Sequence, residues 1–266
     1  MSARRNRNVS TVSAVFMGIC VVVTLLIRFC GLNEYDAAIL LGAYYKPFIM
    51  AGEWWRLLSC GFVHVSFLHL LVNLLSLMNL GPYMEKRLGV PGYLAVLLGS
   101  VIGGSLFTYV SAGNVLMVGL SGGLYGLMAG YSYILFQSNA WRNQAVRQAM
   151  LRVYVVNILI SLMPGISMTA HFGGFITGMV LTGLLDNKDY RKHFALAGLA
   201  FFVAIGYFCT RPQIIKKDER YIGTDINVLK RERELGLQSH AYAMAEKLDR
   251  VYGTDGIILS TIKEDK

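Results

Sequence analysis

Charged side chains are missing from long parts of this 266-residue chain, although its net charge is +9. No Asp, Glu, Lys or Arg occurs from Leu57 to Met84, and none occurs from Leu88 to Trp141. Only 15% of all residues are charged, whereas 55% are hydrophobic. A soluble domain rarely has that balance, and apolar stretches of about twenty residues are typical of membrane-spanning helices. The sequence therefore predicts a helical membrane protein.

Motifs that would indicate other chemistry are also absent. The chain has no H-E-x-x-H string, which excludes that zinc-protease motif. Its basic residues mostly flank apolar segments, a pattern typical of membrane orientation and not of nucleic-acid binding. The cysteines show no C-x-x-C spacing and thus neither a metal site nor a disulfide framework. They are Cys20, Cys30, Cys60 and Cys209.

Seven apolar segments are predicted to span, or nearly span, a bilayer. They are Thr11–Ile27, Leu57–Leu80, Tyr93–Ser111, Gly119–Phe136, Val153–Leu162, Ala170–Leu185 and Phe194–Cys209. With a cytoplasmic N-terminus, most Lys and Arg between the first six segments fall on the cytoplasmic side, as the positive-inside rule requires. The seventh segment is followed by Arg211, Lys216 and Lys217, against that rule, so six or seven spans are possible.

The predicted organisation has three parts. Residues 1–10 form a short basic cytoplasmic N-terminus, residues 11–210 a membrane domain, and residues 211–266 a polar tail. Spaced apolar positions predict one or two amphipathic helices in the tail, which is extracytoplasmic if the seventh segment spans. The loop 31–55 is apolar and aromatic, which predicts an element at the membrane interface with Trp54 and Trp55 at headgroup level.

Ser121 is the first candidate for chemistry. It lies at the outer end of the fourth segment, and His171 lies near the outer end of the sixth, which runs in the same direction. Glycines follow both residues at intervals of four, a spacing that lets helices pack closely. These helix-packing glycines are Gly122, Gly126, Gly174 and Gly178. Close packing would bring Ser121 within hydrogen-bond reach of His171, which could act as its general base and acid.

Other polar residues are expected at the same depth. No acidic residue lies in the spans to orient His171, so we expect a dyad, with the Tyr125 ring stacked on the imidazole. His69 and Asn73 share a helix face and, with the backbone N–H of Ser121, could stabilise an oxyanion. His64 lies about 140° away from that face and is expected only to support the site or hold water.

Structural explanations exist for each residue alone, because a serine among glycines is usually a packing residue and Asn73 could link helices. Their occurrence together at one depth favours function. The string from Gly119 to Gly123 fits G-x-S-x-G, the nucleophile motif of α/β-hydrolases. That motif requires a preceding strand in a soluble α/β sheet, which the sequence does not predict, so we set this interpretation aside.

Five strings together resemble the rhomboid family of intramembrane serine proteases. They are EWWR (residues 53–56), the His64/His69/Asn73 set, GPYMEKRLG (81–89), GLSGGLYG (119–126) and AHFGGFITG (170–178). The resemblance covers most of the chain from about residue 31 to residue 185. It implies an all-α, rhomboid-like bundle of six core transmembrane helices, to which Phe194–Cys209 adds a seventh, with a small helical C-terminal tail.

The resemblance also implies a function and the residues that perform it. Ser121 would be the nucleophile, His171 the general base and acid, His69 and Asn73 the oxyanion site, and Tyr125 the support of the imidazole. The substrates would be transmembrane proteins in the lipid bilayer, cut near the outer membrane face, and the reaction would use water and no metal or other cofactor.

Two other functions compete with a protease. A catalytically inactive relative that binds or escorts membrane proteins would usually lack the serine or the histidine, and both are present here. A small transporter would need polar residues along a path through the membrane, whereas the strongest polar cluster is predicted in the outer half.

Overall fold

The computed structural model describes residues 10–163, 165–186 and 189–264, and these residues are mainly α-helical. Four of the described helices are long and apolar enough to cross a membrane: α1 (Thr11–Phe29), α5 (Phe67–Ser111), α8 (Met168–Asp186) and α9 (Arg191–Cys209). The chain is thus a multi-pass membrane protein. The predicted basic N-terminus, apart from Ser10, lies outside the described residues.

Helix α5 contains the second predicted span from Phe67 onward and the whole of the third. It bends at Gly89, where φ is +70°, a conformation that glycine adopts without steric cost. The predicted start at Leu57 was wrong, because α5 begins at Phe67, after Ser66 as N-cap. Residues 56–59 form a separate short helix, α4, followed by a 3₁₀ turn over residues 60–62. The Arg56 guanidinium holds this segment to the first loop by donating to the carbonyls of Ile39 and Ala43.

The helices α6 (Ser121–Gln137) and α8 pack side by side in parallel, as the glycine spacing predicts. A Cβ added at Gly178 would lie 2.5 Å from the carbonyl carbon of Gly126 and closer still to its Cα and O atoms. A Cβ at Gly174 would lie 2.8 Å from the carbonyl carbon of Gly122. Because carbon atoms normally approach to about 3.5–4.0 Å, these positions tolerate no side chain unless the helices move.

Helix α7 (Gln144–Ser161) is longer than the predicted fifth span, which began at Val153. The Asn143 side chain caps its start by accepting from the N–H groups of Ala145 and Val146. Most of its described side chains are exposed or half-buried, and Ser161 is the buried one. Because it is so little buried, α7 borders the helix bundle instead of contributing to its core.

The first loop carries several short elements: α2 (Glu34–Leu40), β1 (Tyr44–Tyr45), α3 (Lys46–Met50) and α4 (Arg56–Ser59). Strand β1 pairs in antiparallel fashion with β2 (Leu116–Met117), with Tyr44 opposite Met117. Because β2 lies only four residues before Ser121, this pairing connects the first loop to the start of α6.

The tail forms three helices, α10 (Glu219–Glu234), α11 (Gln238–Tyr252) and α12 (Ile257–Glu264), one more than the upper prediction. Their apolar faces form a common core with Tyr45 and Phe48 of the first loop. The Asn114 side chain also accepts from the N–H of Lys216 and donates to its carbonyl. The tail therefore packs against the loops at the end of the bundle where Ser121 lies.

Charged side chains are buried where the tail meets the first loop. Arg56 is 1% exposed and pairs with Glu53, which is 5% exposed. His240 lies between two carboxylates, with Nε2 3.2 Å from Glu53 and Nδ1 2.9 Å from Glu232. Burial raises the pKa of Glu232, although the neighbouring His240 opposes that shift. This arrangement joins α4, α10 and α11 through charge as well as apolar contact.

Asp225 is a fully buried carboxyl group in the same interface. Burial raises the pKa of Asp225 to about 7, against the lowering effect of the nearby Tyr252 and Tyr45 hydroxyls and of the Arg56 charge. Those hydroxyls are close enough to influence the carboxyl, yet among the described residues no hydrogen bond of good geometry reaches either carboxyl oxygen. Asp225 is therefore the least well compensated acid of the interface.

Candidate active site

Ser121 and His171 are hydrogen-bonded to each other. Ser121 is the first residue of α6, and His171 lies in the first turn of α8, with Nε2 2.9 Å from the serine Oγ. The two residues come together because α6 and α8 are parallel and in contact through their glycines. The hydrogen bond predicted from topology and spacing is thus present.

Tyr125 lies against the imidazole, as its position one turn after Ser121 predicts. Its ring stacks on that of His171 with centroids 4.0 Å apart and planes inclined by 10°. Its hydroxyl donates to the Asn157 carbonyl at 2.7 Å and lies 2.6 Å from the Ser161 Oγ. The Tyr125 ring is therefore fixed by stacking on one face and by hydrogen bonds at its hydroxyl.

Ser161 is a site residue that the sequence interpretation missed. Its Oγ lies 2.8 Å from Nδ1 of His171, on the side of the ring opposite Ser121. The sequence places Ser161 at the end of the short fifth segment, ten residues before His171. A polar side chain at the outer end of a span was the available signal, but the depth of α7 could not be judged from its short apolar run.

His69 and Asn73 line the same cavity as Ser121. The His69 ring packs against Gly119, where φ is +109° and a Cβ would lie 2.8 Å from the ring Nε2. The Asn73 side chain donates to the His69 carbonyl at 2.8 Å, one turn back on α5. One amide hydrogen of Asn73 is therefore used within the helix, and the second is available to a ligand in the cavity.

His64 lies outside the walls of the cavities at Ser121. It precedes α5, so its position relative to His69 is not set by helical spacing, and the predicted 140° separation was wrong. Its ring meets that of His69 edge to face with centroids 5.2 Å apart. It is fully buried, and within the described part of the chain neither ring nitrogen has a hydrogen-bond partner. This ring contact connects His64 to the site through His69.

Two cavities meet at the Ser121–His171 pair, and His69, Ser121 and His171 line both. The larger, about 550 Å³, lies between α5, α6 and α7. The smaller, about 320 Å³, lies between the loop before α6 and the start of α8. Polar side chains continue along the larger cavity away from the pair: Asn73, Ser76, Asn79, Ser132, Tyr154 and Asn157. The Ser121 hydroxyl is thus reachable from two directions.

The described ranges contain no cluster of side chains that could form a metal centre. Across residues 10–163, 165–186 and 189–264, no three His, Cys, Asp or Glu side chains are grouped so that they could hold a metal ion. The groups around Ser121 are instead a hydroxyl, an imidazole and hydrogen-bond donors. That set is suited to acyl transfer through a serine nucleophile.

The part of the chain that contains Ser121 and His171 is similar in sequence to known proteins. Residues 51–188 match a family model described as Rhomboid domain. RHOMBOID-like protein 5 of Arabidopsis thaliana is 35% identical over 145 residues, which are 53% of this chain and 47% of that protein. RHOMBOID-like protein 4 of the same plant is 35% identical over 142 residues, 53% and 36% of the two chains. Rhomboid protease GluP of Bacillus subtilis (strain 168) is 25% identical over 181 residues, 66% and 36% of the two chains. The chain thus spans less than half the length of these three relatives.

Proposed function

Because the chain belongs to the rhomboid family, we propose that it is an intramembrane serine endopeptidase that cuts transmembrane proteins near the outer face of a membrane. The observation that carries the proposal is the 2.9 Å hydrogen bond between Ser121 Oγ and His171 Nε2 at the meeting point of two cavities. The similar Bacillus subtilis protein GluP is named as a rhomboid protease, which agrees with this class of activity.

The chemical step follows from that hydrogen bond. Nε2 of His171 accepts the hydroxyl proton as Ser121 Oγ attacks the carbonyl carbon of the scissile peptide bond. The resulting imidazolium gives the proton to the leaving amine, which departs and leaves an acyl-enzyme on Ser121. Water, deprotonated by the same Nε2, then hydrolyses the ester and restores the serine.

The developing oxyanion needs donors fixed in advance. The candidates are the His69 ring, the second amide hydrogen of Asn73 and the backbone N–H of Ser121. His69 and Asn73 line the larger cavity together with Ser121, and His69 also touches Gly119 in the turn that leads into α6. A tetrahedral intermediate on Ser121 would therefore have its oxygen among these donors.

The larger cavity is the route we propose for the substrate. It is bordered by α5, α6 and the weakly buried α7, and it extends from Ser121 along the bundle. A substrate helix entering there must partly unwind, because helical hydrogen bonds and side chains shield its peptide bonds. The smaller cavity on the loop side would take up the unwound segment or the attacking water.

The orientation that we propose places the N-terminus in the cytoplasm and Ser121 toward the outer face of the cell membrane. The Lys and Arg distribution supports this orientation through the positive-inside rule. In that orientation α9 is the seventh span, since the tail after it packs on the first loop and on Asn114 at the Ser121 end of the bundle. The tail, residues 211–266, is then extracytoplasmic.

The test is cleavage of a single-span reporter protein by the purified full chain in liposomes. We expect the unsubstituted protein to cut, and Ser121→Ala and His171→Ala to be inactive. Two matched controls should stay active: Ser138→Ala, at the other end of α6, and His193→Ala, an exposed histidine of α9. Cutting that persists in Ser121→Ala would overturn the proposal.

A further inference from the structure

Ser161 makes a contact that the proposed reaction does not yet explain. It is the buried residue of α7, 8% exposed, and its Oγ lies 2.8 Å from His171 Nδ1. Histidine bases are commonly oriented by a second hydrogen bond on the nitrogen that faces away from the nucleophile. Ser161 occupies the place in which an acidic residue would stand in a triad.

The direction of these hydrogen bonds follows from the chemistry. For Nε2 of His171 to accept the Ser121 proton, the ring proton must be on Nδ1, which then needs an acceptor. The Ser161 Oγ is that acceptor if its own hydrogen is directed elsewhere. The Asn157 carbonyl, 2.8 Å away and one turn back on α7, accepts that hydrogen.

Tyr125 completes the arrangement without competing for the imidazole. Its hydroxyl lies 2.6 Å from Ser161 Oγ and 2.7 Å from the Asn157 carbonyl, so it donates to one of these oxygens. In either case a lone pair of Ser161 remains for the Nδ1 proton. With the ring proton on Nδ1, each donor of the group has an acceptor, so these contacts fit the tautomer that the proposed reaction requires.

We propose that Ser161 is a positioning residue that holds His171 with its proton on Nδ1 and its Nε2 toward Ser121. The inference rests on the proposed protease function, because that reaction requires Nε2 to accept the Ser121 proton, but the tautomer can be measured without any activity. Because Ser161 belongs to α7, the position of the helix that borders the larger cavity also determines how the imidazole is held.

Ser161 lines neither cavity at Ser121, and its loss should therefore leave substrate binding unchanged. A neutral hydroxyl also stabilises the imidazolium less than a carboxylate would. For Ser161→Ala we therefore expect kcat to fall roughly 10- to 100-fold, the effect of losing one hydrogen bond to a charged group, while KM stays within about twofold.

Three variants separate positioning from packing. Ser161→Thr keeps a hydroxyl that can bond the carbonyl four residues back, and it should recover most of the lost kcat. Ser13→Ala is the matched control, because Ser13 is a buried serine that joins α1 to Tyr93 of α5 by a 2.9 Å hydrogen bond far from the site. It removes the same atoms and should keep kcat, whatever it costs in stability.

The tautomer itself is measured by ¹⁵N NMR of the His171 imidazole in the full-length protein. We expect an Nδ1–H ring in the unsubstituted protein and in Ser161→Thr, and a mixture of tautomers in Ser161→Ala. An unchanged imidazole spectrum in Ser161→Ala, or equal loss of kcat in the Ala and Thr variants, would overturn the positioning role. If the unsubstituted protein does not cut the reporter, the proposed function fails, and the NMR result still decides the role of Ser161.

Discussion

The contact between α6 and α8 provides the sharpest test of how the fold forms the site. In Gly178→Ala the new methyl group would lie 2.5 Å from the Gly126 carbonyl carbon and nearer to two other backbone atoms of Gly126. Backbone cannot rotate away as a side chain can, so the helices must separate by about 1 Å or more to restore ordinary contact. Overpacking of this kind costs about 1–3 kcal/mol in the free energy of unfolding.

The same displacement reaches the proposed dyad. His171 lies on α8 two turns before Gly178, and the Ser121–His171 distance of 2.9 Å leaves little room before the hydrogen bond is lost. A misplacement of about 1 Å can lower a catalysed rate about 100-fold. We therefore expect Gly178→Ala to lower both the unfolding temperature and the rate of reporter cleavage.

Gly206→Ala in α9 is the matched control for this substitution. An added Cβ there has no atom within 4 Å, and alanine is a better helix former than glycine by about 1 kcal/mol. Thermal unfolding in detergent and reporter cleavage are measured on both variants. Equal stability and equal activity of the two would refute the argument that the α6–α8 contact positions Ser121 and His171.

Three further substitutions test other parts of the structure. With a pKa of about 7 in the folded protein against 3.8 in the unfolded chain, ionisation of Asp225 between pH 4 and 7 lowers the stability of the native state by up to roughly 4 kcal/mol. In the unsubstituted protein, hydrogen-exchange protection of the tail helices should therefore fall as the pH rises through that range. Asp225→Asn should remove this fall and give greater protection at pH 8. An unchanged pH profile would contradict this. Lys46→Met should lower the free energy of unfolding by about 1–3 kcal/mol, because the Lys46 ammonium donates to two carbonyls at the end of α5, those of Tyr109 (2.8 Å) and Ala112 (2.6 Å); full stability in a denaturant titration would refute it. Tyr125→Leu removes the ring that stacks on His171 and should slow cleavage about 2- to 10-fold relative to Tyr125→Phe, which keeps the ring. Equal cleavage rates of the Leu and Phe variants would contradict this.

Topology and small-residue spacing were sufficient to predict the Ser121–His171 pair. Two parallel segments with glycines every four residues can approach only along those glycines, and the residues preceding them then lie at the same depth. Tyr125 follows Ser121 by one helical turn and therefore shares its face. These relations depend on the period of the helix and on membrane sidedness, both of which the sequence carries.

Contacts between distant parts of the chain were not predictable in the same way. Ser161 reaches His171 because α7 ends at one particular depth, which a short apolar run does not determine. Arg56 is charged and lies next to two tryptophans, a pattern that favours the membrane interface, yet it is buried beside Glu53. His64 was assigned to a helix that in fact begins at Phe67. Each of these cases depends on tertiary packing, for which hydropathy has no signal.

In the proposed reaction His171 activates Ser121 as a nucleophile. This activation is tested most directly by labelling the purified full chain with a fluorophosphonate and locating the modified residue by mass spectrometry. We expect a single adduct on Ser121, absent in Ser121→Ala and formed far more slowly in His171→Ala. Labelling of another residue, or equal labelling rates with and without His171, would contradict it.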